Sequence, residues 1–166
     1  MQRHWIFIGS VLGALAVGTG AFGAHGLAGF LAERHAEQPD LLTRRLDNWD
    51  TAALYQMHHA LALVLVGVVG MFRRNKWLSV AGFGFLFGVL LFSGSLYALV
   101  LLEIPVLGAI TPLGGLSFIL GWVALAIGGC CMSNGLTQIE GLQGKAKNNL
   151  AADSNNPYET PSSNEV

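Results

Sequence analysis

Seven polar side chains of the types that bind ligands, protons or metals lie within long apolar stretches of this sequence. They are two histidines, two tyrosines, a glutamine, a serine and a threonine: His25, Tyr55, Gln56, His59, Ser93, Tyr97 and Thr111. Polar groups at membrane depth are costly to bury, and in a membrane protein they therefore mark candidate functional positions. We take these seven residues as a candidate binding site.

The spacing of these residues groups them. Tyr55 and Gln56 precede His59 by four and three residues, so the three side chains share one face of a helix. Ser93 and Tyr97 are likewise four residues apart. Counting depth at about 1.5 Å per helical residue places polar groups of all four apolar stretches in the same, outer half of a membrane. The sequence predicts one polar pocket that opens toward the outer face.

Three kinds of chemistry fit such a pocket, and the sequence leaves all three open. The side chains could form structural hydrogen bonds between helices, or line a hydrated site that binds or passes a small polar solute or a proton. His25 and His59 could alternatively ligate a haem or a metal ion, since imidazoles on adjacent helices suit axial ligation. No buried carboxylate is available to orient a Ser–His pair. The sequence thus predicts no catalytic residue, no cofactor and a non-enzymatic protein.

The elements that carry these residues are apolar over long distances. Of the 166 residues, 52% are apolar and 11% are charged, against about 25% charged in soluble domains. A net charge of −1 provides no basic surface for nucleic acid. Four stretches lack Lys, Arg, Asp and Glu, and each exceeds the roughly 20 residues that span a bilayer. They predict transmembrane helices over about residues 5–25, 52–72, 77–101 and 105–131.

The connections determine the rest of the predicted fold, an all-α antiparallel four-helix membrane bundle over residues 1–132. Short turns at 73–76 and 103–105 make the last three spans antiparallel neighbours. In the first loop, Pro39 precedes a stripe of Leu42, Leu46, Trp49 and Ala53. This stripe predicts an amphipathic helix on the outer surface that continues into the second span, with Trp49 at the membrane interface. A solvated helical hairpin is the alternative.

Other local signals predict irregularity, close packing and a tail. Thr111-Pro112 predicts an irregular start to the fourth span. Small residues recur every fourth position, for example Gly84 and Gly88, and predict close helix packing. Residues 133–166 are rich in Asn, Ser, Gly and Gln, which predicts a disordered, polar, cytoplasmic tail.

The basic residues predict the orientation of the spans in the membrane. More of them fall on the side of the N-terminus (Arg3, Arg73, Arg74, Lys76, Lys145, Lys147) than on the other (Arg34, Arg44, Arg45). This bias predicts cytoplasmic N- and C-termini. A cleaved signal peptide is disfavoured, because the first apolar run exceeds the usual length of about 7–15 residues. The lipid bilayer is the predicted partner; a homo-oligomer, or an accessory subunit of a larger membrane complex, is an open alternative.

Several ordered motifs resemble a known family. They are Gly20-Ala21-Phe22-Gly23-Ala24-His25; Tyr55-Gln56 with His59-Ala60-Leu61-Ala62; Leu91-Phe92-Ser93-Gly94-Ser95-Leu96-Tyr97; and Thr111-Pro112-Leu113-Gly114-Gly115 with Phe118 and Gly121-Trp122. Over roughly residues 5–132 the chain resembles the small membrane proteins of unknown function that include bacterial YgdD-like inner-membrane proteins and animal transmembrane protein 256. The resemblance implies four membrane spans and carries over no activity and no catalytic residue. The long first loop and the Asn/Ser-rich tail depart from short bacterial members.

Overall fold

The computed structural model describes the backbone of residues 2–32, 34, 37–72 and 75–153. Side chains are described over the same ranges except at residues 2, 131–140 and 150–153. The described residues form helices and turns, with no strand among them. The chain divides into two units, residues 1–128 and residues 129–166, and the candidate site lies wholly within the first.

Four helical segments are long and apolar enough to cross a membrane. We name them spans one to four, and they cover Arg3–Ala32, Pro39–Phe72, Lys76–Leu102 and Pro105–Cys130. Each contains one of the predicted transmembrane helices, apart from one residue at the end of the fourth. The predicted all-α, four-span membrane architecture is therefore confirmed.

Within the spans, regular helix alternates with shorter irregular turns. The α-helices are α1 Gln2–Phe22, α2 Ala28–Ala32, α3 Pro39–Phe72, α4 Lys76–Gly88, α5 Gly94–Leu102 and α6 Thr111–Asp153. A π-helical turn over Gly23–Leu27 joins α1 to α2, and another over Val89–Ser93 joins α4 to α5. Such turns widen a helix by one residue and are frequent at functional sites. Both contain motif residues that the sequence singled out.

The centre of the bundle is packed by large apolar side chains from all four spans. Trp5, Leu63, Phe85 and Phe118 belong to one buried cluster. The small residues allow the helices to approach closely, as predicted. A Cβ added at Gly84 would lie 2.8 Å from the Cα of Gly121, so spans three and four are in backbone contact there. Close packing of this kind supplies the dispersion energy that holds helices together in lipid.

From Pro39 onward the first loop is helical and continuous with span two, as predicted. Helix α3 begins at Pro39, a residue whose fixed φ and missing N–H suit the first helical position. Trp49, however, is 4% exposed and packs with Leu27, Leu31 and Val100. The indole of Trp49 is therefore held between α3, the turn before α2, α2 and α5, and its predicted depth at the membrane interface stays a prediction.

The start of span four is irregular, as the Thr111-Pro112 motif predicts. A short 3₁₀ helix over Pro105–Ala109 precedes the regular helix that begins at Thr111. Pro112 is the second residue of that helix, and a proline there removes no intrahelical hydrogen bond. The irregularity is therefore an entry turn, after which the helix continues without interruption.

Helix α6 continues to Asp153, whereas the sequence predicts a disordered tail from residue 133. Residues 136–152 include Leu, Gln, Lys and Ala, which are among the better helix formers. Side chains described between residues 141 and 149 are exposed. The last part of the predicted tail, residues 154–166, lies outside the described residues.

Candidate functional site

His59 is a buried polar residue near the middle of span two. It is 5% exposed, and its Nδ1 lies 2.8 Å from the carbonyl oxygen of Tyr55. The indole N–H of Trp122 donates to Nε2 over 3.3 Å. A carbonyl oxygen only accepts and an indole N–H only donates, so Nδ1 carries the proton and Nε2 accepts. The two partners together fix a neutral imidazole.

Aromatic rings enclose the same imidazole. The ring of His59 is stacked on Phe118 with centroids 3.4 Å apart and an interplanar angle of 8°. Beside it, Tyr55 stacks on Phe92 at 4.6 Å and 27°. Phe85 lies 5.7 Å away from His59 by ring centroids. The imidazole is thus one ring of a stacked aromatic cluster contributed by spans two, three and four.

A cleft of about 360 Å³ opens beside this cluster. Its walls are largely aromatic, and they consist of Tyr55, His59, Phe92, Gly115, Phe118, Ile119 and Trp122. Ile119 and Trp122 are 61% and 47% exposed, and both lie near the middle of span four. The cleft therefore faces the hydrocarbon of the bilayer. Its volume falls in the range of about 300–1,000 Å³ that small-molecule sites occupy. We call it the aromatic cleft.

Tyr97 belongs to a different group of contacts. Its hydroxyl shares a hydrogen bond of 2.9 Å with Thr19. The Thr19 hydroxyl donates to the carbonyl oxygen of Ala16, so Tyr97 is the donor in the shared bond. The rings of Trp49 and Tyr97 contact each other in a tilted arrangement, with centroids 4.6 Å apart and an interplanar angle of 59°, and Trp49 donates its indole N–H to the Thr19 carbonyl oxygen over 2.8 Å. These contacts join spans one, two and three.

Gln56 and Thr111 also make structural hydrogen bonds. Gln56 is 4% exposed, and its amide donates to the Leu12 carbonyl oxygen over 2.9 Å. Thr111 shares a 2.9 Å bond with Ser95, whose hydroxyl donates to the Phe92 carbonyl oxygen. Thr111 is consequently the donor to Ser95. Both residues link neighbouring spans.

Ser93 and His25 both lie on π-helical turns but in opposite surroundings. Ser93 is 0% exposed, and its hydroxyl has no hydrogen-bond partner among the described residues. His25 is exposed, on the outside of the turn over Gly23–Leu27. Neither side chain lines the aromatic cleft.

The structure therefore separates the seven predicted residues instead of gathering them around one cavity. Tyr55 and His59 line the aromatic cleft. Gln56, Tyr97 and Thr111 form hydrogen bonds elsewhere in the bundle, Ser93 is buried and His25 is exposed. Sequence reasoning missed Phe92, Phe118 and Trp122, which form most of the remaining wall. Phe118 and Trp122 are four residues apart and therefore on one helix face, a signal that could have found them.

The geometry of His59 also limits what it can coordinate. A metal or haem iron would need a free imidazole nitrogen, and Nε2 accepts from Trp122 while Nδ1 faces a carbonyl. Within residues 2–32, 37–72 and 75–130, no three His, Cys, Asp or Glu side chains cluster as metal ligands would. The arrangement is suited to stacking interactions with a flat molecule.

Comparison with known proteins gives a consistent set of relatives. A family described as "Protein of unknown function (DUF423)" matches residues 19–115, a range that includes all seven candidate residues. A UPF0382 membrane protein of Staphylococcus aureus is 45% identical over 128 residues, which is 76% of this chain and 94% of the relative. The UPF0382 membrane protein YwdK of Bacillus subtilis is 40% identical over 133 residues, 76% of this chain and 95% of the relative. No solved structure matches the chain.

Proposed function

The chain belongs to the DUF423 family of membrane proteins of unknown function, and we propose that it is a non-enzymatic binding protein. Its ligand is a small, membrane-dissolved molecule with a flat unsaturated ring. The observation that carries this proposal is the aromatic cleft of about 360 Å³ beside the stacked rings of His59 and Phe118.

The lining of the cleft supports an amphiphilic ligand over the small polar solute expected from the sequence. The polar atoms of His59 and Trp122 already bond to the protein. Tyr55 is 40% exposed, and its hydroxyl is the polar group of the lining that is left to orient a ligand. Stacked and edge-on ring contacts contribute about 0.5–1.5 kcal/mol each beyond the burial of their area. A flat ring therefore gains more from this wall than a hydrated solute does.

The opening of the cleft supports entry from the membrane. Ile119 and Trp122 are exposed on span four, at a depth where lipid chains surround the protein. A ligand that partitions into the bilayer reaches this opening by lateral diffusion, without crossing the bundle. Proton passage through His59 gains less support, because protonation would place an imidazole N–H against the indole N–H of Trp122.

The broader assignments from the sequence form part of the same proposal. We place the protein in the bacterial inner membrane with cytoplasmic termini, as the excess of basic residues near Arg73 and Lys76 favours. Membership of the narrower YgdD-like and transmembrane protein 256 group rests on the sequence motifs. Haem or metal ligation by His25 and His59, homo-oligomerisation and an accessory role in a larger complex are the alternatives, and no contact of the described residues favours them.

The proposal is tested by filling the cleft. Gly115 lines it, and a Cβ added there meets only the Phe92 ring at 4.0 Å, so Gly115→Leu occupies the cleft without a backbone clash. The matched control is Gly18→Leu on span one, where an added Cβ meets nothing within 4 Å. Binding of the naphthoquinone menadione is followed by quenching of tryptophan fluorescence in detergent.

We expect saturable binding to the wild type and to Gly18→Leu, and a loss of about tenfold or more in affinity for Gly115→Leu, the equivalent of roughly 1.4 kcal/mol. Non-saturable quenching that is the same in all three proteins would mean simple partitioning into the detergent, and would refute the proposal.

A further inference from the structure

A second cavity, which shares no lining residue with the aromatic cleft, lies where span three ends and span four begins. Its volume is about 380 Å³. One wall is a single face of α3 and the other is the end of α5 with the following turn; the lining residues are Leu41, Arg44, Arg45, Asn48, Leu99, Glu103 and Pro105. The end of a membrane span is the level of lipid headgroups and bulk water. Two guanidinium groups and an amide thus face one cavity at the membrane boundary.

Arg45 is held rigidly in this wall. It is 9% exposed, and its Nη1 donates to the carbonyl oxygens of Leu99 and Val100 over 2.8 and 3.2 Å. These carbonyls belong to the last turn of α5, which ends at Leu102. A helix C-terminus carries partial negative charge and lacks intrahelical donors for its last carbonyls, so a cation is stabilised there. The side chain is thereby fixed before any ligand arrives.

The same guanidinium group still has an unused donor. Its Nε is buried and has no hydrogen-bond partner among the described residues. An arginine stays charged in proteins and carries five N–H donors in one plane. A buried charge whose donors are not all satisfied is costly, and an anionic acceptor lowers that cost. The Nε itself is covered by the protein, so Arg45 acts on the adjoining cavity through the incompletely compensated positive charge of its guanidinium group, which favours an anion there.

The other charged groups of the lining determine how an anion is held. Arg44 is exposed at the same cavity and adds a second cation, while Asn48 adds an amide donor one turn away. Glu103 on the opposite wall repels an anion, although Arg34 lies 3.9 Å from its carboxylate and offsets part of that charge. The lining as a whole has two cations against one carboxylate.

We infer that this cavity binds the oxyanion of a phosphate group, with Arg45 as the fixed donor and Arg44 as the second cation. Planar guanidinium groups match phosphate oxygens with paired N–H donors, which a point charge cannot do. The phosphate belongs either to a lipid headgroup, as a diester, or to a free phosphate ion from the aqueous side. Both sources present the same oxygen acceptors to the two arginines.

The test uses the full chain in a maltoside detergent, which contains no phosphate. Isothermal titration calorimetry is carried out with inorganic phosphate and, separately, with the short-chain lipid dihexanoyl phosphatidylglycerol, at constant ionic strength set by chloride. The variants are Arg44→Gln, which removes the exposed cation, and Glu103→Gln, which removes the opposing carboxylate. Lys76→Gln is the matched control, because Lys76 is an exposed cation at the start of span three, outside the cavity.

We expect Arg44→Gln to weaken binding about tenfold, as the loss of a charged hydrogen bond implies. Glu103→Gln should tighten binding, and Lys76→Gln should leave it within about twofold. Binding of inorganic phosphate supports the inference with free phosphate as the source, and binding of the lipid alone supports it with the headgroup as the source. The inference is overturned if neither binds, or if Lys76→Gln weakens binding as much as Arg44→Gln. Arg44→Gln is chosen over Arg45→Gln because Arg45 also caps α5.

Discussion

At the scale of single residues, histidine in a membrane helix has several possible roles, and the partners of His59 select among them. A carbonyl oxygen at Nδ1 and an indole N–H at Nε2 use both ring nitrogens in one tautomer. The ring face is covered by Phe118. His59 consequently acts here as a flat polar ring that completes an aromatic wall, and its Nε2 edge links span two to span four.

Removing the indole donor should release one edge of His59. In Trp122→Phe the ring is largely retained but the N–H is lost, so Nε2 keeps no donor. Hydrogen bonds between membrane helices contribute about 0.6 kcal/mol on average, and we expect a destabilisation of at least this size. In histidine-labelled protein, the ¹⁵N resonance of Nε2 should move toward the frequency of a free imine nitrogen, while Nδ1 stays protonated.

The matched control for this experiment is Trp77→Phe, because Trp77 is half-buried at the start of span three and is not among the described side chains that stack on or hydrogen-bond to His59. Its His59 resonances should remain as in the wild type. A wild-type His59 protonated at Nε2, or unchanged ¹⁵N shifts in Trp122→Phe, would contradict the assigned tautomer.

Residue types and spacing predicted part of this site. The spacing predicts that Tyr55, Gln56 and His59 share one helix face. Tyr55 and His59 do lie together, whereas the Gln56 amide bonds to Leu12 of span one and lies outside the cleft wall. Ser93, Tyr97 and Thr111 were assigned to the same pocket only because they lie at a similar predicted depth. Depth does not determine which way a side chain points around its helix, so it could not show whether these residues face the cleft. The aromatic residues of the cleft wall were not predicted, because a Phe or Trp that lines a cavity cannot be told by residue type from one that faces lipid in the same apolar span.

At the scale of elements, contact between spans three and four depends on glycine. Gly84 on α4 faces Gly121 on α6, and the Ser117 hydroxyl donates to the Gly84 carbonyl oxygen over 2.8 Å. The neighbouring Gly88 faces the ring of Phe118, the ring on which His59 stacks. Close approach of the two helices therefore also positions one wall of the aromatic cleft.

A single methyl group at Gly84 should separate these helices. Its Cβ would lie 2.8 Å from the Cα and 3.0 Å from the N of Gly121, and backbone atoms cannot move aside without moving the helix. We expect Gly84→Ala to be destabilising by about 1–3 kcal/mol, the usual cost of overpacking. Unfolding in mixed detergent micelles measures the change.

The control for that substitution is Gly18→Ala on α1, where an added Cβ meets nothing within 4 Å. There the substitution should be neutral or stabilising by about 0.5–1 kcal/mol, since alanine favours helix over glycine. Equal effects at positions 18 and 84 would indicate that helix propensity, and not helix contact, determines both.

The sequence predicted the spans but not the π-helical turns within them. Runs without charged residues predicted the four spans, and the apolar stripe in the first loop predicted the start of α3. The turns over Gly23–Leu27 and Val89–Ser93 were not predicted, because one extra residue in a span that is apolar on all sides leaves the hydrophobic pattern unchanged. Both turns contain residues of the ordered motifs described above. Such a motif within an apolar span is therefore the sequence feature that could indicate a π-helical turn.

At the scale of the whole molecule, four spans and their loops define the topology to be tested. The exposed residue Asp47 lies on α3 in the first loop, and the exposed Lys76 lies at the turn between spans two and three. The stretch of span two without charged residues, residues 52–72, lies between them, so a four-span topology places the two positions on opposite sides of the membrane. The greater number of Lys and Arg residues on the side of Lys76 predicts that this side is cytoplasmic.

Single-cysteine labelling distinguishes the two orientations. In a Cys130→Ser/Cys131→Ser background, Asp47→Cys should react in intact cells with a membrane-impermeant maleimide, whereas Lys76→Cys should react only after permeabilisation. Neither substituted side chain is buried in the bundle, so protection reports the membrane and not the fold. Labelling of Lys76→Cys alone would invert the orientation and place the arginine-lined cavity on the cytoplasmic side, where its phosphate would come from the cytoplasm or the inner leaflet. Labelling of both in intact cells would instead exclude the four-span topology, because residues on either side of one span cannot share a compartment.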